Sequence, residues 1–258
     1  MTFKNWIEEF IFEQKCIPWR ILNSTHFIKK IYWKVRLYRP SINFPLKTYE
    51  AVYRFYLIES QRIIDFEHMR GKANITLLKT DLYNEAHSRP DTGGIVGGLK
   101  RVEKVCAIEI REDVKEKGEA TLKKTELSNY SLEVGDIRRI PYAKSSFDII
   151  LDLSTIDHIA PAELELVFSE YERVMKEDGV LILITWVDVE DKAKDNRRNR
   201  EEWGPTHQYY FNKEEFIKII DERFNIEKQN LIFYEPKNKN HHLTRFICRK
   251  KICCKHIC

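Results

Sequence analysis

Glycine is scarce in this chain: nine in 258 residues, with none between Gly71 and Gly93. The dinucleotide fingerprint GxGxxG is missing, and with it the close backbone approach that a pyrophosphate needs, which sets aside an NAD-dependent oxidoreductase. A Walker loop, a GxSxG elbow, an HExxH helix and a metal-ligand cluster in the core are absent too, so P-loop hydrolysis, serine hydrolysis and zinc proteolysis lose their signatures. The six cysteines contain no CxxC half-site. No apolar run approaches the roughly 20 residues that span a bilayer. The opening MTFKNWIEEFIFEQK carries glutamates inside its apolar stretch and no small-residue cleavage site. It reads as mature structure rather than a signal peptide, and a cytoplasmic protein is expected, without disulfides and with silent sequons at Asn23, Asn74 and Asn129.

What is present describes a soluble globular chain, 43% hydrophobic and 33% charged, long enough for one sizeable α/β domain plus an appendage. Net charge is +4, but its distribution says more. From Arg20 to Pro40 the charged residues are Arg20, Lys29, Lys30, Lys34, Arg36 and Arg39, interleaved with Phe27, Tyr32, Trp33 and Tyr38 and with no acid. The plain reading is an amphipathic helix with its lysines in water. The stretch also suits an anionic membrane surface at the inner face, where each basic residue gains about 1 kcal/mol; nucleic acid is the less favoured partner. Cys253, Cys254 and Cys258 lie with His256 in a Cys-rich basic tail, 251–258, whose spacing is poor for zinc.

Residues 1–72 read as a helical N-terminal extension, broken at Pro40 and Pro45, with apolar residues at helical spacing through TYEAVYRFYLIESQRIIDFEHMR. From 73 to 250 short β-branched runs alternate with charged helical stretches, the pattern of βαβ units and a mostly parallel sheet. Strands are predicted at ITLLKTD, KVCAIEI, YSLEVGD, FDIILDL, GVLILITW, FNIEKQNLIFY and LTRFICRK, and helices at REDVKEKGEATLKK, PAELELVFSEYERVMK and NKEEFIKIIDER. In the fourth of these strands, IILDL is apolar on both faces, as an interior strand covered by helices must be. Asn212 is a candidate helix cap, and Gly179 a tight reversal into the fifth strand.

In such a sheet a ligand lies outside the carboxyl ends of the strands, so the residues that end strands are the informative ones. Glu109 ends the second predicted strand and offers a carboxylate to ribose hydroxyls, with Ile110 beside it. Asp136 follows the third strand, placed for an adenine amino group, with Ile137 as the apolar neighbour to cover the ring.

The segment GDIRRIPYAKSSFDIILDLSTIDHIAPAELELVFSEYERVMKEDGVLILITW, residues 135–186, resembles the second half of a class I SAM-dependent methyltransferase. The likeness rests on Asp136, Ile140-Pro141, Ser145 to Asp148, His158, Glu172 to Lys176, Gly179 and the apolar LILITW, and extends to HQYYFNKEEFIKII from His207. It implies a Rossmann-like, mostly parallel seven-stranded sheet with helices on both faces, and S-adenosyl-L-methionine (SAM) as cofactor. Leu153 and Ser154, which end the fourth strand, would join the cofactor site.

The first strand departs from the family. There an acid and a GxGxG-like turn are usual; here stands Lys79-Thr80-Asp81-Leu82-Tyr83-Asn84-Glu85. Asp81 or Glu85 would bind the α-ammonium of SAM, and Lys79 or Thr80 its carboxylate. Gly93-Gly94 and Gly97-Gly98 read as a surface loop or a flexible wall. The resemblance implies methyl transfer to a hydroxyl or amine of a small molecule, sugar or lipid-linked glycan intermediate, with His158, Asp157 beside it, or His207 as the base. A non-catalytic module of the same fold is the alternative. A nucleic-acid methyltransferase is disfavoured, because Asp152-Leu153-Ser154-Thr155 is not a (D/N)PP(Y/F) loop.

Overall fold

A computed structural model of the chain describes residues 49–87, 93–125, 127–188, 208–235 and 238–251. The basic aromatic stretch 20–40, His207 and the tail cysteines 253, 254 and 258 lie outside them.

Helix α1, Tyr49–Met69, leads into strand β1, Thr76–Lys79, and two five-residue helices, α2 (Tyr83–His87) and α3 (Gly94–Gly98). Strand β2 (Lys104–Glu109), helix α4 (Glu112–Leu122), β3 (Tyr130–Val134) and β4 (Phe147–Leu153) follow. Two 3-10 turns, Ile156–His158 and Pro161–Glu163, precede α5 (Leu164–Val174) and β5 (Met175–Asp188). The last elements are β6 (Phe211–Asn212), α6 (Lys213–Arg223), β7 (Phe224–Glu235) and β8 (Asn238–Lys250).

The sheet runs β3-β2-β1-β4-β5-β8-β7, parallel from β3 to β5, with β8 antiparallel to both β5 and β7. This is the expected seven-stranded sheet plus one addition: β6, a two-residue strand parallel to the end of β5. Strand order turns back at β1, between β2 and β4, so the carboxyl ends of β1 and β4 bound the crevice where such sheets bind ligands.

Alternation along each strand sends Leu78 and Ile150 to one face and Leu77 and Ile149 to the other, all fully buried. Helices α5 and α6 cover the first face. Phe168 and Tyr171 of α5, Phe216 and Ile220 of α6, and Phe224 pack there with Leu181, Leu183, Phe246 and Cys248 of the sheet. Asn212 caps α6 as expected, accepting from the Glu214 and Glu215 amides at 3.0 and 3.1 Å. At Gly179 the chain folds back closely, so that a Cβ there would sit 2.9 Å from the Lys176 carbonyl oxygen. Met175 pairs with Phe147 directly at the end of α5, and the chain bulges before Val180 resumes the ladder opposite Ile149.

The opposite face is sealed differently. Helix α1 meets β4 and α3, and its buried acids reach into the sheet: Glu59 pairs with Arg245, and Glu67 with Arg249. The helix read as part of an extension is thus tied to the sheet by ion pairs along its length.

Candidate functional site

At the carboxyl end of β1 the chain turns without glycine around one lysine. Lys79 is fully buried, and its Nζ donates to the Asp81 carbonyl at 2.8 Å and to Asp81 Oδ1 at 3.0 Å. Its third partner is Glu85 Oε2, 3.1 Å away and as fully buried. The other Glu85 oxygen accepts the Val96 amide at 2.9 Å, joining α2 to α3. Burial pushes the Glu85 carboxyl up, while Asp81 and Glu85 together hold the Lys79 ammonium above its ordinary value.

Glycine does appear, on the other side of this contact. Gly93 and Gly94 both have left-handed backbones, φ 64° and 66°, and a Cβ on Gly94 would sit 2.7 Å from Glu85 Cα. A Cβ on Gly98 would meet Leu57 of α1 at 2.7 Å. The two glycine pairs are packing positions, not a flexible wall.

Asp81 is held from several directions. Oδ1 accepts Lys79 and the Tyr83 amide at 2.9 Å, and Oδ2 accepts the Thr155 hydroxyl at 2.9 Å. Thr80 Oγ1 stands 2.8 Å from that hydroxyl, so Thr80, Thr155 and Asp81 form one chain. Glu109, at the end of β2, accepts the Leu82 amide on one oxygen (3.0 Å) and the Arg111 amide on the other (3.1 Å). Burial pushes its carboxyl up. Each oxygen keeps a second lone pair, so two further donors are accommodated.

Beyond Glu109, Ile110 is 61% exposed, and Val134, which pairs with Glu109, is 46% exposed. Ile137 is buried in the core cluster under α5. Asp136 is bound by Arg138 through Nε at 3.0 Å to both oxygens and through the backbone amide at 2.8 Å. That guanidinium holds the Asp136 carboxyl below the usual range.

The third group follows β4. Leu153 is buried, and Ser154 takes a left-handed backbone, φ 66°, unusual for a residue with a side chain. The Ser154 hydroxyl lies 2.8 Å from the Tyr56 hydroxyl of α1. Asp152, fully buried, accepts the Thr155 and Ile156 amides at 2.9 and 3.1 Å and the Tyr171 hydroxyl at 2.6 Å, and burial pushes it up to about 6. Asp157 is also enclosed, with Gln208 donating to Oδ2 at 3.1 Å and Oδ1 buried without a hydrogen bond. Burial raises it to about 7, with the neighbouring His158 working against the rise. His158 is exposed.

Tyr56, Asp81, Asp152 and Asp157 are close enough to act on one another electrostatically, and Glu109 feels Asp81 and Lys79. Carboxylates from β1, β2 and β4 thus gather at one end of the sheet around a single ammonium. Among the described residues no group of three or more histidine, cysteine or acidic side chains is placed to hold a metal ion.

A methyltransferase domain profile matches residues 96–240, more than half of the chain. The chain belongs to the methyltransferase domain family. It is a class I SAM-dependent methyltransferase, and its cofactor is SAM. The match begins beyond β1 and its loop, the part whose sequence departs most from the family pattern.

No characterised protein sequence matches. Solved structures share the fold at low identity. One is the 1,6-didemethyltoxoflavin-N1-methyltransferase of Burkholderia thailandensis with its substrate and S-adenosylhomocysteine: 14% identity, TM-score 0.54, covering 82% of this chain and 94% of that one. Another is the geranyl diphosphate C-methyltransferase of Streptomyces coelicolor: 11% identity, TM-score 0.56, covering 73% and 75%. A third, the [4+2]-cyclase SpnF, has 13% identity and TM-score 0.56, covering 75% and 82%.

The donor set fits a sulfonium cofactor. Glu109 offers two acceptors, Ile110 and Val134 an apolar ledge beside it, and the acids around Asp81 a negative environment for a cation. Lys79 and Glu85 are enclosed and bound to each other. Asp136 is bound to Arg138. Sequence reasoning missed Tyr56: it lies outside the matched segment and among the α1 residues whose aromatic spacing read as core.

Proposed function

We propose that the methyltransferase acts on a hydroxyl or amine of a small molecule, and that SAM lies across the carboxyl ends of β1 and β2 with its methyl group toward β4. The observation that carries this is the convergence of Asp81, Glu109 and Asp157 with Tyr56 where strand order turns back. Asp81, held by Lys79 and Thr155, accepts the α-ammonium on the lone pair that Oδ2 keeps free of Thr155. Glu109 accepts the ribose hydroxyls, and Ile110 and Val134 cover adenine. Ser154 and Tyr56 line the wall beside the sulfonium.

SAM, when bound, supplies an already activated methyl group. The chain's own residues then need to align the acceptor and remove its proton. His158 is exposed at the end of the β4 turn, with the Asp157 carboxyl behind it. His207 is the alternative base, one residue before the Gln208 that holds Asp157.

Among the described residues no helix is long and apolar enough to cross a membrane. A sugar or lipid-linked glycan acceptor, met at an anionic surface through residues 20–40, follows from the sequence of that stretch. Sedimentation with anionic vesicles tests it: a truncation starting near Lys47 should stay in the supernatant, and equal partitioning removes the docking idea.

Transfer from methyl-labelled SAM to a panel of small hydroxyl and amine acceptors, lipid-linked sugars included, is the test of the reaction. His158→Ala should abolish labelling while leaving SAM affinity in place. Retention of activity in that variant would move the base to His207.

A further inference from the structure

The buried Lys79–Glu85 pair does more than stabilise the fold. We propose that it takes the place of the absent glycine turn by setting the position of Asp81, making Lys79 and Glu85 positioning residues for the methionine part of the cofactor. The inference rests on the reading of the β1 end as the SAM site.

A glycine-rich turn works by letting bare backbone come close. Here the reversal after β1 is drawn in by a side chain instead. Lys79 reaches forward two residues to the Asp81 carbonyl (2.8 Å) and carboxylate (3.0 Å), so one ammonium fixes both the backbone and the side chain of the residue that faces the cofactor. Glu85 anchors that ammonium from α2 and, through the Val96 amide, ties the loop to α3. Gly94, in a conformation that side chains rarely adopt, lets the two helices close over Glu85. The scarce glycine has moved from the cofactor side of the loop to its back.

The charge pattern agrees. Lys79 and Glu85 cancel, leaving Asp81 as the net charge of the loop, oriented through Oδ2 by Thr155. A buried pair of this kind contributes little to stability when both members are replaced together, so the double replacement probes its geometry more than its contribution to folding.

The test uses the full chain and calorimetric titration with SAM and, separately, adenosine. The double variant Lys79→Met/Glu85→Gln removes one charge of each sign, keeps an acceptor for the Val96 amide, and leaves the net charge of the site unchanged. Its SAM dissociation constant should rise about tenfold or more, while adenosine binding, which depends on Glu109 and Ile110, and the melting temperature stay near the parent's. SAM affinity equal to the parent's would overturn the proposal, and so would parallel loss of SAM and adenosine. If the double variant does not fold, Glu85→Gln alone decides, with a several-fold loss confined to SAM expected and no loss contradicting it. A parent that binds neither ligand refutes the SAM-site reading itself, a result distinct from either.

Discussion

The two faces of the sheet are closed by different means. Under α5 and α6 the seal is aromatic: Phe168 has ring neighbours Tyr171, Phe216 and Phe224, with centroids 6.2, 5.9 and 6.1 Å away, and all four are fully buried. Under α1 and α2 ion pairs are added to buried apolar side chains such as Ile63, Ile64 and Leu77: Glu59–Arg245, Glu67–Arg249 and Lys79–Glu85. Apolar packing is non-directional and tolerates any close fit, whereas ion pairs impose register. The ion-paired face is the one from which Tyr56 and Asp81 reach the end of β4, at Ser154 and Thr155.

The comparison can be broken at either face. Phe168→Ala should cost about 3–5 kcal/mol, read as a drop in the urea midpoint, because the surrounding rings collapse only in part. Glu67→Ala should cost about 2–3 kcal/mol, because Arg249 loses its buried partner and keeps Glu227 and the Asp178 carbonyl, yet Glu67→Leu/Arg249→Leu should be nearly neutral. If the paired replacement is as damaging as the single one, the ionic face is a stability device and the contrast fails.

A comparable effect comes from pH. Asp152 and Asp157 bind protons more tightly folded than unfolded, with values of about 6 and about 7. The native state therefore holds extra protons between roughly pH 4 and 7, and this part of its stability is full below that window and lost as pH rises through it. Asp157→Asn should flatten the decline, leaving the variant more stable than the parent at pH 8 by about 2–4 kcal/mol; urea midpoints at pH 5 and pH 8 decide. Smallest is the α6 cap, remote from both seals. Asn212→Ala should lose about 1 kcal/mol and leave SAM binding untouched.

The aromatic face was legible in the sequence. FDIILDL is β4 residue for residue, because a strand buried on both sides is mostly apolar along its length. The starts of β2 and β3 were equally readable, while β2 stops at Glu109 and β3 at Val134, one and two residues before the predicted ends. The ionic face was not. Glu59, Glu67, Lys79 and Glu85 look like solvated charges until partners far along the chain enclose them: Arg245 for Glu59, Val96 for Glu85, Ser154 for the nearby Tyr56. Helices α2 and α3 are five residues each, too short for periodicity to register. The turn chemistry of the β1 loop depends on a buried ammonium, which no local signal announces.

Calorimetric titration of the folded full-length protein with SAM tests the central claim most directly, that a lysine-centred loop without glycine serves a methyltransferase as its cofactor site. Binding at micromolar affinity, weakened in Glu109→Ala, is the predicted result. Absence of binding, or affinity indifferent to Glu109, would contradict it.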